Sequence, residues 1–162
     1  MATRAIFTPF SAEFSASNFP QLKVDAQRRP VLAFDATTQE SCQWSGVAPQ
    51  GLSGTLTAVI TYKMASATTG GVAFDVSLEA VSDGDALDLD AAESFDAVNG
   101  GSVAAVPGTA GYIDQISITL TNADAIAAGD YFRLRLARDV ADAADTASGD
   151  CEVLAVELRD AA

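Results

Sequence analysis

Carboxylates are the only abundant side chains in this sequence whose spacing could do chemistry. Asp139, Asp142, Asp145 and Asp150 fall within RDVADAADTASGD, and Asp83, Asp85, Asp88 and Asp90 within SDGDALDLD. Oxygen-rich clusters of this kind hold hard cations such as calcium, and two acids sharing one proton can hydrolyse a peptide. Neither pattern is complete. An EF-hand loop needs acids at alternate positions, glycine sixth and glutamate twelfth, whereas here Gly84 comes second and the register slips after Asp85. The three-residue spacing from Asp139 to Asp145 suits one helical turn more than a coordination shell. DTASG is superficially similar to the DTGS of aspartic proteases, but glycine does not follow the threonine and no second matching loop is present. Both stretches therefore read first as solvated acidic loops, the second of them the connection between the last two strands. A calcium-stabilised adhesin built on residues 82–96 is a further hypothesis, and its melting temperature would fall with chelator.

Other chemistries lose their parts in the same way. The chain has no histidine, which removes Ser-His-Asp and Cys-His nucleophiles, histidine-ligated zinc and imidazole acid–base work. A hydrolase would have to run on carboxylates alone. TTGGVA and NGGSVAAVPGTAG lack the lysine and the helix of a phosphate loop. Cys42 and Cys151 show no metal or thiol-exchange spacing and read as buried free thiols, with a long-loop disulfide as the alternative. No cofactor or metal is expected. Lys and Arg number 9 against 22 Asp and Glu, for a net charge of −13, so neither nucleic acid nor an anionic membrane is an expected partner. The segment MATRAIFTPFSAEF lacks a secretory apolar run, and no window reaches transmembrane length; a soluble chain that is not Sec-exported is the expectation.

The elements that must carry these residues have period 2. LTAVITYKM puts Leu56, Ala58, Ile60, Tyr62 and Met64 on one face. VAFDVSLEA does the same with Val72, Phe74, Val76 and Leu78, and the two read as consecutive antiparallel strands. IDQISITLT buries Ile116, Ile118 and Leu120; YFRLRLAR buries Phe132, Leu134 and Leu136 while Arg133 and Arg135 face out. CEVLAVELR is apolar on both parities, as in a strand covered on both faces. PVLAF and QESCQWSGV are shorter candidates. Residues 82–111 lose periodicity and predict a long loop with one short strand around 95–98, and NADAIAAGD predicts one helical turn between Asn122 and Gly129. At 162 residues the chain buries about 70% of its unfolded surface as one domain. The fold class is all-β: an antiparallel, jelly-roll-like β-sandwich (25–162) preceded by an extended N-terminal arm (1–24).

That arm holds four of the eight phenylalanines, Phe7, Phe10, Phe14 and Phe19, in a segment broken by Pro9 and Pro20. Such anchors imply that something holds the segment down: its own sandwich edge, or a neighbouring subunit, with Phe7, Phe10 and Phe14 as candidate partner contacts. If the contact is with a neighbour, deletion of residues 1–19 leaves a folded sandwich. Sugar binding would need exposed aromatic platforms. Trp44 and Tyr62 point inward by parity, which leaves Tyr112 and Tyr131.

RPVLAFDATTQE, MASATTGGVAFDV and DTASGDCEVLAVELR are the distinctive segments of a stretch, residues 29–159, that resembles a family of small structural proteins encoded among the head and tail genes of tailed bacteriophages. The resemblance implies a single jelly-roll-like domain without catalytic residues. It further implies assembly on the virion as a symmetric oligomer, a trimer or dimer. The expected role is capsid decoration (cement) on the outer head surface, with the major capsid protein or other virion proteins as partners and synthesis in the host cytoplasm. A tail or fibre component, or a glycan-binding surface module, is the alternative.

Overall fold

The computed structural model describes residues 1–161, apart from the side chains at 101 and 102. In chain order its strands are β1 (Ala2–Phe7), β2 (Glu13–Phe14), β3 (Gln21–Val24), β4 (Pro30–Phe34), β5 (Ser41–Val47), β6 (Leu56–Met64), β7 (Gly71–Val81), β8 (Asn99–Ala105), β9 (Ile113–Leu120), β10 (Tyr131–Arg138) and β11 (Cys151–Asp160). One sheet runs β3-β4-β11-β6-β9, with β1 also paired to β11; the other runs β2-β5-β10-β7-β8. Every pairing is antiparallel, and the two sheets form the expected jelly-roll-like sandwich. Among the described residues there is no α-helix, only a 3-10 turn at Pro9–Ser11.

The alternating segments pack as their parity dictates. Val72, Phe74, Val76, Leu78, Leu134 and Leu136 from one sheet meet Leu32, Phe34, Ile60, Tyr62, Val156 and Leu158 from the other, all fully buried. Phe34 and Tyr62 both set an edge against Phe74, with ring centroids 5.8 and 6.3 Å apart. Trp44 and Tyr62 are inward, as parity requires. Cys42 and Cys151 are buried free thiols on different sheets, and burial pushes both well above the usual thiol range.

Four expectations are corrected. First, β6 and β7 do not pair with each other but lie in opposite sheets, because residues 65–70 cross the sandwich edge instead of folding a hairpin. Second, β11 is not covered on both faces. Its register to β6 slips between Val153 and Ala155, so Cys151 and Val153 face inward before the slip and Val156 and Leu158 after it. A β-bulge inverts parity within one strand, which is why both parities look apolar in CEVLAVELR. Third, the strand expected at 95–98 is β8, a few residues later, where NGGSVAA conceals it behind two glycines. Fourth, residues 122–129 are not helical. The Asn99 side chain captures both backbone groups of Asn122, accepting from its N–H at 2.9 Å and donating to its carbonyl at 2.8 Å. Asp124 and Ala125 then adopt left-handed backbone, with φ of 49° at each, which a right-handed turn cannot accommodate.

The N-terminal arm is woven into both sheets: β1 joins β11, β2 joins β5 and β3 joins β4. Phe7 is 7% exposed and stacks on Trp44 at 5.7 Å while its neighbour Phe132 meets it edge-on at 6.1 Å. The Trp44 indole N–H donates to the Thr8 carbonyl at 3.0 Å, tying the arm down with a polar contact as well.

Candidate functional site

The outer face of the five-stranded sheet is where small side chains leave room. Register sets Ser41, Ala137 and Asp75 side by side on β5, β10 and β7, and the next outward row is Gln43, Arg135 and Ser77. Because Ser41, Ala137 and Ser77 are short, the floor lies low beside the taller Arg133 and Glu79 one row further on. Two walls stand over this floor. One is the arm, where Asn18 in left-handed backbone (φ 53°) accepts from the Ser41 N–H at 2.9 Å. The other is the end of the 82–98 loop, which folds back across the sheet.

That loop is held by a clamp. Glu79, without solvent exposure, accepts from the Arg133 guanidinium and from the Ser94 backbone N–H. The Phe95 ring lies under both Arg133 and Arg135, at 4.9 and 3.8 Å from the guanidinium carbons, a cation–π arrangement. Glu93 accepts from the same two arginines at 3.2 and 2.7 Å. Burial alone would raise Glu79, but the Arg133 and Ser94 hydrogen bonds outweigh it and hold the carboxyl below its ordinary value. A bulge completes the site: β8 carries one extra residue opposite Asp75, and a Cβ on Gly100 would collide with the Asp75 carboxylate. Gly100 is therefore the residue that gives Asp75 its place.

Between these walls runs a groove with two basins that share Ser41 and Arg135. The larger, about 410 Å³, is lined by Ser17, Asn18, Gln39, Asp75, Ser77 and Val98 among others. The smaller, about 240 Å³, lies against Glu13, Phe14, Gln43 and Glu93. Phe14 forms a tilted pair with Phe19 at 5.6 Å, both rings remaining partly exposed at 41% and 44%. Among the described residues, nothing hydrogen-bonds the side chains of Asn18, Gln39, Asp75 or Ser77. Asp75 is shifted above its ordinary value, chiefly by burial and further by the charges of Asp139 and Asp142. A raised carboxyl destabilises the folded chain above its folded pKa, and that penalty fades as pH falls toward the unfolded value near 3.9. Asp75→Asn is thus expected to melt at or above the wild-type temperature at pH 7, the difference vanishing by about pH 4. Calorimetry at both pH values checks this, and a variant less stable at pH 7 would refute it.

The acidic stretch 139–150 is the largely solvated connection between β10 and β11, but one of its carboxylates, Asp145, is drawn into a buried fastening. Arg138, at 0% exposure, continues the inward row of β10 past the end of the core. Its guanidinium binds both Asp145 oxygens at 2.8 and 3.0 Å and donates to the carbonyls of Ala147 (2.8 Å) and Gly149 (3.0 Å). Asp145 also accepts from the Ala73 N–H. Asp139 and Asp142 spend their carboxylates on Ala141 and Ala144 backbone N–H groups, and Asp150 on Lys23. Among the described residues, no group of three or more His, Cys, Asp or Glu side chains is placed to hold a metal ion, and no helix is long and apolar enough to cross a membrane.

The remaining candidates are dispersed. Phe7 is consumed by the core, while Phe10 is 69% exposed and Phe14 sits on the groove. Tyr112 precedes β9 and Tyr131 opens β10, which register places at opposite ends of the sandwich, so they cannot form one platform. Sequence reasoning missed Asp75, Ser77 and Arg135 as a set. Each was recognisable as an outward residue of its strand, but only the strand order brings them together.

No protein-family model and no curated protein matches the chain. Among solved structures it is similar to the CBM35 carbohydrate-binding module of Cellvibrio japonicus Abf62, at 7% identity, with 99% of this chain and 95% of that one covered and a TM-score of 0.54. The C-terminal CBM6 of LamC, a laminarinase of Zobellia galactanivorans, gives 17% identity, 96% and 98% coverage and a TM-score of 0.47. The CBM6cm-2 module of Cellvibrio mixtus lichenase 5A, solved with cellotriose, gives 14%, 99%, 100% and 0.45. At such identities the first likeness is one of fold alone: the chain shares a β-sandwich fold with that module.

Proposed function

We propose that this chain is a non-catalytic β-sandwich that binds an oligosaccharide in the groove on its five-stranded sheet. The carrying observation is the groove itself: hydroxyl, amide and carboxylate side chains, of which Asn18, Gln39, Asp75 and Ser77 have no partner among the described residues, line a cleft edged by the Phe14–Phe19 pair. Sugars are held by such a combination, hydrogen bonds to their hydroxyls and apolar contact to their C–H faces. The fold shared with a carbohydrate-binding module adds an analogy of scaffold. Phe14, not Tyr112 or Tyr131, supplies the ring surface in this reading.

Ser77→Tyr fills the floor at a position only 8% exposed and should abolish binding on a glycan array; Gln39→Trp, at an exposed position of the same basin, should do so while leaving the melting temperature within a few degrees of wild type. Phe14→Ser with Phe19→Ser should weaken affinity by about tenfold, given that a ring contact is worth on the order of 1 kcal/mol. Array silence of the wild-type chain, or undiminished binding by Ser77→Tyr, would sink the proposal.

A second reading, decoration of a phage head, draws on exposed apolar side chains of the arm. Ile6 and Phe10 are 63% and 69% exposed next to the buried Phe7, and surface of this kind suits a partner. It requires that the chain co-sediment with capsids and that Phe10→Ser abolish this.

A further inference from the structure

The charges along the groove restrict what an occupant can be. Its two basins are lined by three carboxylates, Asp75, Glu13 and Glu93, and one guanidinium, Arg135. Arg135 is already committed, to Glu93 at 2.7 Å and to the face of Phe95. Glu13 accepts from the Ser45 hydroxyl. Asp75 has no hydrogen-bond partner among the described residues and stands on the floor between hydroxyl-bearing Ser41 and Ser77. No cation of the groove offsets it. A carboxylate in a cleft with protein on three sides feels an arriving positive group more strongly than one on open surface, since less water screens it. An anionic sugar would meet repulsion from Asp75, and a neutral one would offer that carboxylate only uncharged hydroxyl donors, which are weaker than an ammonium donor.

We propose that the groove selects a glycan bearing free amines, an oligosaccharide of deacetylated hexosamine, with the Asp75 carboxylate accepting a charge-assisted hydrogen bond from one ammonium group. This rests on the glycan-binding reading above. The Ser41, Ser77 and Gln39 side chains would take ring hydroxyls beside that ammonium, and Phe14 the apolar face of a neighbouring unit. A cationic peptide also satisfies the charge. The row of small hydroxylated side chains has more donors and acceptors than a lysine stem can use, which favours the sugar.

The test is titration calorimetry at mildly acidic pH, where the sugar amine is charged. The probes are a glucosamine tetramer, its fully N-acetylated counterpart, a glucose tetramer and tetralysine, each against wild type, Asp75→Asn and the off-groove control Asp83→Asn. The amine tetramer should bind wild type at least about tenfold more tightly than the acetylated and neutral tetramers. Asp75→Asn should remove that preference, and Asp83→Asn should leave it intact. Equal affinity for all three sugars overturns amine selection while the glycan-binding reading stands. Failure of every sugar overturns both. A preference lost equally in Asp83→Asn means diffuse attraction to an acidic surface, and tetralysine binding as tightly as the amine tetramer reassigns the groove to peptides; either result overturns the proposal.

Discussion

Replacing Arg138 with methionine is expected to destabilise the folded chain by about 3–5 kcal/mol, the cost of breaking a buried ion pair from one side. The Asp145 side chain, 2% exposed, would keep only its bond from the Ala73 N–H, and the carbonyls of Ala147 and Gly149 would lose their donor. For a chain of this size such a loss lowers the melting temperature by roughly 10 °C. Two comparisons make the cause identifiable. Arg159→Met removes an ion pair with Glu157 at a part-exposed position and should cost about 1 kcal/mol or less. Adding Asp145→Leu to Arg138→Met should recover part of the loss, since a buried pair replaced by apolar groups leaves no orphan charge. Urea denaturation of the four proteins decides it. A loss under about 1 kcal/mol for Arg138→Met would mean that the 139–150 loop is closed by its own turns.

Truncation of the arm should be at least as severe. Phe7→Ala is expected to cost about 3–5 kcal/mol, the range for emptying a buried phenylalanine site, because the ring fills the space between Trp44 and Phe132. Deleting residues 1–12 removes in addition the β1 pairing along Val156–Asp160 of β11 and the acceptor for the Trp44 indole. That chain should lose cooperative unfolding altogether, contrary to the expectation that a sandwich remains after deletion of residues 1–19. Phe10→Ala, at an exposed ring, should change stability by no more than about 0.5 kcal/mol. A truncated chain that melts like wild type would show the arm to be an accessory.

Strand identity was legible because one-sided burial writes itself into parity: β7 and β10 carry their inward rows in alternate letters, and the structure buries those rows. Parity has no memory across an irregularity. The bulge near Leu154 inverted it in β11, and the glycines of β8 supplied none, so both segments were misread. The candidate site was still less visible. Asp75, Ser77, Ser41 and Arg135 look like ordinary outward residues of three strands distant in sequence.

The amino-acid sequence by itself determined that this is an acidic, all-β chain without histidine chemistry, since composition and local period suffice for each of these. Only the tertiary structure decided which sheet each strand joins, and so which outward residues share a face. It also decided that Arg138, one step beyond the core in an inward row, is buried by the loop that follows. The reason in both cases is that pairing between strands far apart in the chain is set by packing of the whole core. No single segment contains that information.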